Sequence, residues 1–201
     1  MFNASLQGTK DQVLAKVTSR PYGTNVHRFL ADRGFAPKLI GMCTLDSDSK
    51  SHSVENKGLT VYVMEKLDST FLPLPHWESG ETFKVPRRDP EARSLLRSQV
   101  HDQIMEVVAL LESENFVHGH LRKTNIMIKK DASAIKVVGF DWAGRAGEVR
   151  YPFESQKAER AGGFVRYPFD RIGGGDFEPG DIISKGDDRA LVEKWWVHFL
   201  T

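Results

Sequence analysis

Phe116-Val-His-Gly-His-Leu-Arg-Lys-Thr-Asn-Ile-Met-Ile128, followed by Val137-Val-Gly-Phe-Asp-Trp-Ala-Gly144, is the most informative part of the sequence. Its polar positions fall in turns, while Ile126-Met-Ile128 and Ile135-Lys-Val-Val138 are short apolar runs that read as two strands of a hairpin. His118-x-His120 together with Asp141 has the residue types of a zinc site. Spacing alone favours coincidence over a metal.

Upstream, Pro90 to Ser113 carries the strongest helix signal. Leu95, Leu96, Val100, Ile104, Val107, Val108 and Leu111 mark an apolar stripe near period 3.6, and Pro90 and Glu91 suit a first turn. Asp68 to Asp89, with Pro73, Pro75 and Pro86, reads as a hinge with an irregular insertion. Gly58 to Met64 is a clear strand, Asp46 to Lys57 a polar, Ser-rich loop, and Ala36 to Met42 a connector into a further strand. Val26, Phe29 and Leu30 place a helix from Thr24 that stops at Gly34, and Val13 to Val17 reads as a buried strand carrying one lysine, Lys16. Downstream, a glycine-rich irregular tail precedes an amphipathic helix from Arg189 to Leu200. Val-Arg-Tyr-Pro-Phe occurs at 149–153 and again at 165–169, too short and too few for a solenoid. The layout is α+β with two lobes.

Composition bounds the function. The 201 residues are 40% hydrophobic and 27% charged, a globular balance that excludes a disordered or fibrous chain. Twenty-eight basic against twenty-seven acidic side chains leave a net charge of +1, so no bulk field draws nucleic acid or an anionic membrane. Cys43 is the lone cysteine, which excludes an intrachain disulfide and a Cys-rich zinc module and fits an intracellular protein, cytoplasmic or nuclear. No run approaches the ~20 apolar residues of a membrane span.

The first stretch resembles the catalytic loop of protein kinases, His-x-Asp-Leu-x-x-x-Asn, and the second resembles the metal-binding Asp-Phe-Gly one hairpin later. His118, Leu121 and Asn125 hold the frame, and Phe140 holds the Phe of the second motif. Val13-Leu-Ala-Lys16 resembles the strand bearing the ATP-anchoring lysine, and Met64-Glu65-Lys66-Leu67 the hinge between lobes. A nearer likeness is to fungal kinase-like proteins, which read much like His-Gly-Asp-Leu-Arg, Asp-Phe-Asp-Trp-Ala-Gly and Gly-Glu-Val-Arg-Tyr-Pro. Asp141 to Gly144 and Gly147 to Pro152 fit that pattern, as do Tyr22-Gly23, His27 and Ala36-Pro37. Gly180 to Arg189 resembles the start of the helix whose aspartate, Asp187 or Asp188 here, buttresses the catalytic loop. The resemblance implies a two-lobed, protein-kinase-like α+β fold. Residues 1–67 would form a reduced N-terminal lobe and residues 68–201 a C-terminal lobe truncated after that helix.

Departures from the pattern qualify the activity it implies. His120 stands where the family has the catalytic aspartate, and Gly139 where it has the metal-binding one. The acid that would pair with Lys16 falls near Asn25, with no Glu between Lys16 and Arg33, and no Gly-x-Gly-x-x-Gly precedes the lysine. The resemblance therefore implies a pseudokinase acting by binding or scaffolding, with Lys16, Glu65, Leu67 and Asn125 as ATP contacts and Asn125 and Asp141 as a weakened Mg²⁺ site. Lys16 also fits a snorkelling edge lysine, and Asn125 a loop cap. The alternative is a divergent ATP-dependent phosphotransferase using His120 and Asp141. A protein partner, or a second copy meeting the Trp195-Trp196-Val-His-Phe-Leu200 face, is the expected company; nucleic acid and membrane are not.

Overall fold

A computed structural model describes residues 1–5, 12–45, 58–79, 89–152, 159–160, 163–164, 178 and 180–197. Strands β1 (Phe2–Ser5), β2 (Gln12–Thr18), β3 (Leu39–Leu45) and β4 (Leu59–Glu65) form an antiparallel sheet in the order β1-β2-β4-β3. β4 lies between β2 and β3 and brings Tyr62 opposite Lys16. Its alternation buries Tyr62 and Met64 on one face. Helix α1 (Thr24–Asp32) buries Val26, His27 and Leu30, which recur at the spacing of one helical face. The expected loop at 46–57 lies outside the described residues.

The segment read as an irregular hinge is partly regular. Phe71–Pro73 is a short strand, β5, and Leu74–Ser79 a helix, α2. β5 occupies the edge of a three-stranded sheet completed by strands Ile126–Lys129 and Ile135–Val137, where Pro73 removes no interior ladder bond, and Pro75 sits in the first turn of α2, where its missing N–H goes unused. Residues 80–88 lie outside the described set.

Helix α3 spans Pro90–Ser113, and the Asp89 side chain accepts a bond from Ala92 N at 3.0 Å as its N-cap. Val100, Ile104, Val107, Val108 and Leu111 form its buried face. Leu95 departs from the expected stripe and is 71% exposed. Five residues before Val100 is a rotation of about 140° on an α-helix, so Leu95 points to the other side. After β6 (Phe116–Val117) and a 3-10 turn at Lys123–Asn125 comes the hairpin β7 (Ile126–Lys129) and β8 (Ile135–Val137), which pairs in register Ile126↔Val137 and Ile128↔Ile135. A second 3-10 turn, Phe140–Trp142, leads to β9 (Gly144–Arg145), which pairs with β6.

The expected irregular tail contains a backbone pairing of β10 (Glu159–Arg160) with β11 (Gly163–Phe164). The second copy of the repeated pentapeptide lies outside the described residues, whereas Tyr151 of the first copy is buried against Trp142. The last helix, α4, runs Asp187–Val197, two residues earlier at its start than the sequence predicted. Its Arg189 makes a two-armed ion pair with Glu112 of α3, at 2.9 and 2.6 Å.

One apolar cluster joins Val26 and Leu30 of α1, the α3 face, Ile126, Ile128, Ile135 and Val137 of the hairpin, Phe140, and Val192 and Trp196 of α4. Among the described residues, no helix is long and apolar enough to cross a membrane.

Candidate functional site

Lys16 projects from β2 and forms an ion pair with Asp141 of the 140–142 turn. Its ammonium also lies 5.0 Å from the centre of the Tyr22 ring. No acid on α1 is involved: Asn25, aligned with the family's glutamate, is exposed, while His27 is the buried polar residue of that helix. Nδ1 of His27 accepts from the Tyr22 hydroxyl (3.0 Å), and Nε2 donates to the Pro37 carbonyl (2.8 Å). Burial holds the His27 ring below its usual pKa, so it stays neutral, and it stacks on Phe140 at 4.4 Å. The same burial, with the Asp141 charge nearby, raises the Tyr22 hydroxyl's pKa.

Gly139 has φ +87°, and a side-chain carbon there would lie 3.0 Å from Asn125 Oδ1. A carboxylate-bearing residue at 139 would meet both left-handed backbone strain and the Asn125 amide. Asn125 donates through Nδ2 to the His120 carbonyl at 2.9 Å, which pins the loop. Asn125 and Asp141 therefore turn to different partners.

Between these pieces lies a cavity of about 270 Å³. Leu14, Met64, Leu67, Met127, Val138 and Phe140 supply most of its apolar wall, with Lys16 and Glu65 at its polar edge. Glu65 is spent locally. Its amide donates to the Lys38 carbonyl (2.8 Å), and its carboxylate accepts from Lys38 N (2.9 Å). Of the residues expected to contact ATP, Lys16, Glu65 and Leu67 share this cavity, and Asn125 lies outside its lining.

The histidine loop is held from behind. Asp188 is buried, and its carboxylate accepts from His118 N (2.6 Å) and Gly119 N (3.0 Å). Of the two aspartates the sequence offered as buttress, Asp188 is the one in place, whereas Asp187 accepts from Ser184 N at the start of α4. Gly119 has φ +69°, and a Cβ there would lie 2.6 Å from Ile183 Cδ1. His118 is fully buried; Nε2 donates to the Val138 carbonyl (3.2 Å) and Nδ1 accepts from His120 N (3.3 Å). The His120 ring stacks on Trp142 at 3.9 Å, and its buried Nε2 has no hydrogen-bond partner among the described residues. Burial first, then the charge of Arg122, pushes its pKa down to about 2; burial brings His118 to about 4. The two imidazoles face different partners, and no group of three or more His, Cys, Asp or Glu side chains converges on a metal position among the described residues.

These shifts give a pH dependence. As pH falls from about 6.5 to 4, unfolded His118 and His120 each take up a proton that the folded chain refuses, so stability is lost on acidification. Asp188 opposes this: burial raises it to about 7, so the folded chain keeps a proton that the unfolded chain releases above about 4. His27, also held neutral by burial, adds to the histidine side, so three protons against one leave a net loss of stability as pH falls through the region near 5. Urea midpoints at pH 7 and pH 5 should show that fall, and His120→Phe, which keeps the stacking and removes one titrating ring, should make it smaller. A midpoint that rises on acidification would contradict it.

The turn bearing Asp141, the loop buttressed by an aspartate from the next helix, and the lysine strand beneath a cavity together define a kinase-like arrangement. No family model and no curated protein matches the chain. Among solved structures it is similar to the protein kinase PK-1 of Cydia pomonella granulovirus, with 13% identity and a TM-score of 0.50, covering 72% of this chain. The chain spans about half that kinase, 48% of its length. At that identity the likeness speaks for the fold alone, and the fold is kinase-like.

Sequence reading missed the cavity walls Tyr22, His27, Pro37, Met127 and Val138. It also missed Trp142 as the surface covering His120. The one signal toward Asp141 was the lack of a Glu between Lys16 and Arg33, which leaves the carboxylate facing Lys16 to another segment.

Proposed function

We propose that this chain is a kinase-like binding module, a pseudokinase, that does not transfer phosphate. In this reading residues 1–67 form the smaller lobe and residues 68–201 the larger, and the cavity between sheet and hairpin is the remnant ligand site. The observation that carries the reading is the state of His120. A general base must reach the proton it takes, and the His120 ring is buried with Trp142 stacked on it at 3.9 Å, while that burial also lowers its basicity.

The metal chemistry points the same way. Phosphoryl transfer relies on a divalent ion held against the phosphates by a carboxylate. Gly139 offers no ligand, Asn125 is tied to the His120 carbonyl, and Asp141 is tied to Lys16. The residues present do not fit an Mg²⁺ site. Function then rests on a surface presented to a protein partner. Incubation with γ-labelled ATP and MgCl₂ tests the reading. No label transfer and no phosphate release above the buffer rate are expected, and turnover that disappears in His120→Ala or Asp141→Ala would establish the phosphotransferase alternative instead.

A further inference from the structure

A groove of about 420 Å³ runs along the first three turns of α3, with Trp196 of α4 in its wall. Arg93, Arg97 and His101 line it at four-residue intervals, so they leave one face of the helix about 6 Å apart along its axis. Ser94 and Ser98 add hydroxyls beside them, and none of the lining residues carries a carboxylate. Asp102 lies 3.9 Å from His101 Nδ1, but its side chain is 77% exposed and stands outside the lining. Ile104 and Val108, three and seven residues past His101, continue the same row into the core. The row of α3 that is buried further on is thus basic at its start, where it borders the groove. There the His101 and Trp196 rings lie 4.7 Å apart between centroids, which sets a flat apolar surface beside the cations.

We propose that this groove docks an extended acidic peptide segment of a partner protein, with carboxylates at alternate positions on Arg93 and Arg97 and an apolar residue against Trp196. The assignment gives the binding-module reading above its partner surface and rests on that reading for its role. Charge decides the sign of the ligand: two guanidinium groups with no carboxylate between them favour an anion, and each can hold a carboxylate by two parallel N–H bonds. Spacing decides its form. In extended backbone, residues two apart project to the same side about 6.6 Å apart, which matches the interval between the two arginines. The whole chain carries a net charge of only +1, so the attraction comes from this local cluster and weakens as salt rises.

The test is fluorescence anisotropy of a labelled peptide, SESESFS, titrated with the full chain at low and at physiological salt, against the neutral control SQSQSFS. Binding below millimolar is expected, at least tenfold tighter than the control and weaker at the higher salt. Arg93→Glu should weaken it at least tenfold. Arg28→Glu makes the same charge change at an exposed position of α1 and should alter it less than twofold. Urea midpoints keep a folding failure apart from a docking failure; should Arg93→Glu not fold, Arg93→Gln should cost at least threefold. No binding at millimolar peptide, equal binding of the neutral control, or an equal loss in both charge variants overturns the proposal. Self-association that Arg93→Glu abolishes would make the occupant a second copy, and capture by phosphatidylserine vesicles without peptide binding would make it a lipid surface; either overturns the peptide assignment. Turnover in the γ-labelled ATP assay sinks the non-catalytic reading and leaves the docking result standing, whereas absent peptide binding without turnover sinks the docking assignment alone.

Discussion

Phe140→Ala lowers the unfolding free energy by about 3–5 kcal/mol, the cost of emptying a fully buried aromatic position. Phe140 is 1% exposed, and its ring lies 4.4 Å from His27, 5.1 Å from His118 and 6.2 Å from Tyr22, measured between centroids. It is therefore the contact through which α1, the histidine loop and the 140–142 turn share one packing unit. Nothing beside it is free to collapse into the space, because His27 and His118 are both fixed by hydrogen bonds. For a chain of this length each kcal/mol corresponds to about 2–4 °C, so the melting temperature should fall by roughly 6–20 °C. Phe140→Leu, which keeps most of the volume, should cost less than half as much. A loss under about 1 kcal/mol in the alanine variant would mean that the turn does not pack as described.

Asp188→Ala should be nearly as damaging, by a different mechanism. It strips the acceptor from two backbone amides, His118 N and Gly119 N, that are buried away from water. Each orphaned donor costs about 1–3 kcal/mol, partly offset by no longer burying a carboxylate, for a net loss of about 2–4 kcal/mol. Asp188→Asn retains one acceptor oxygen and should lose about half of that. Chemical denaturation of the three proteins at pH 7 gives the comparison. Equal stability of all three would show that the loop amides find water instead.

Much of the scaffold could be read from local pattern, because local pattern is what makes it. Pro90 at the first turn and apolar residues from Val100 to Leu111 placed α3 at its observed ends. β-branched runs placed β2, β4, β7 and β8 to within a residue or so. Local pattern misled where neighbours in space decide. Prolines at 73 and 75 read as disruption, yet an edge strand and a first helical turn accommodate both. Leu95 belonged to the stripe by its type and not by its angle.

The site was legible as a set of positions and not as a set of contacts. His118, His120, Asn125 and Asp141 stood out because they lie within one short stretch. Their roles depend on partners far along the chain: Lys16 for Asp141 and Asp188 for the loop amides, across 125 and 70 residues. That Trp142 would cover His120, and that Asp141 would pair with Lys16, follows from the turn geometry after Gly139. A left-handed residue there sets the direction of the next three side chains, and sequence offers no signal for that direction. The cavity walls are drawn from segments scattered between Met1 and Phe140, none unusual where it stands.

Lys16 and Asp141 pair with one another, and in the proposed reading that leaves neither for a nucleotide or its metal. The direct measurement is ATP binding by isothermal titration with and without Mg²⁺, on the unsubstituted chain and on Lys16→Ala. Magnesium should leave ATP affinity unchanged within experimental error in both proteins. Magnesium-dependent tightening of tenfold or more, lost in Lys16→Ala, would show a working metal–phosphate site and contradict it.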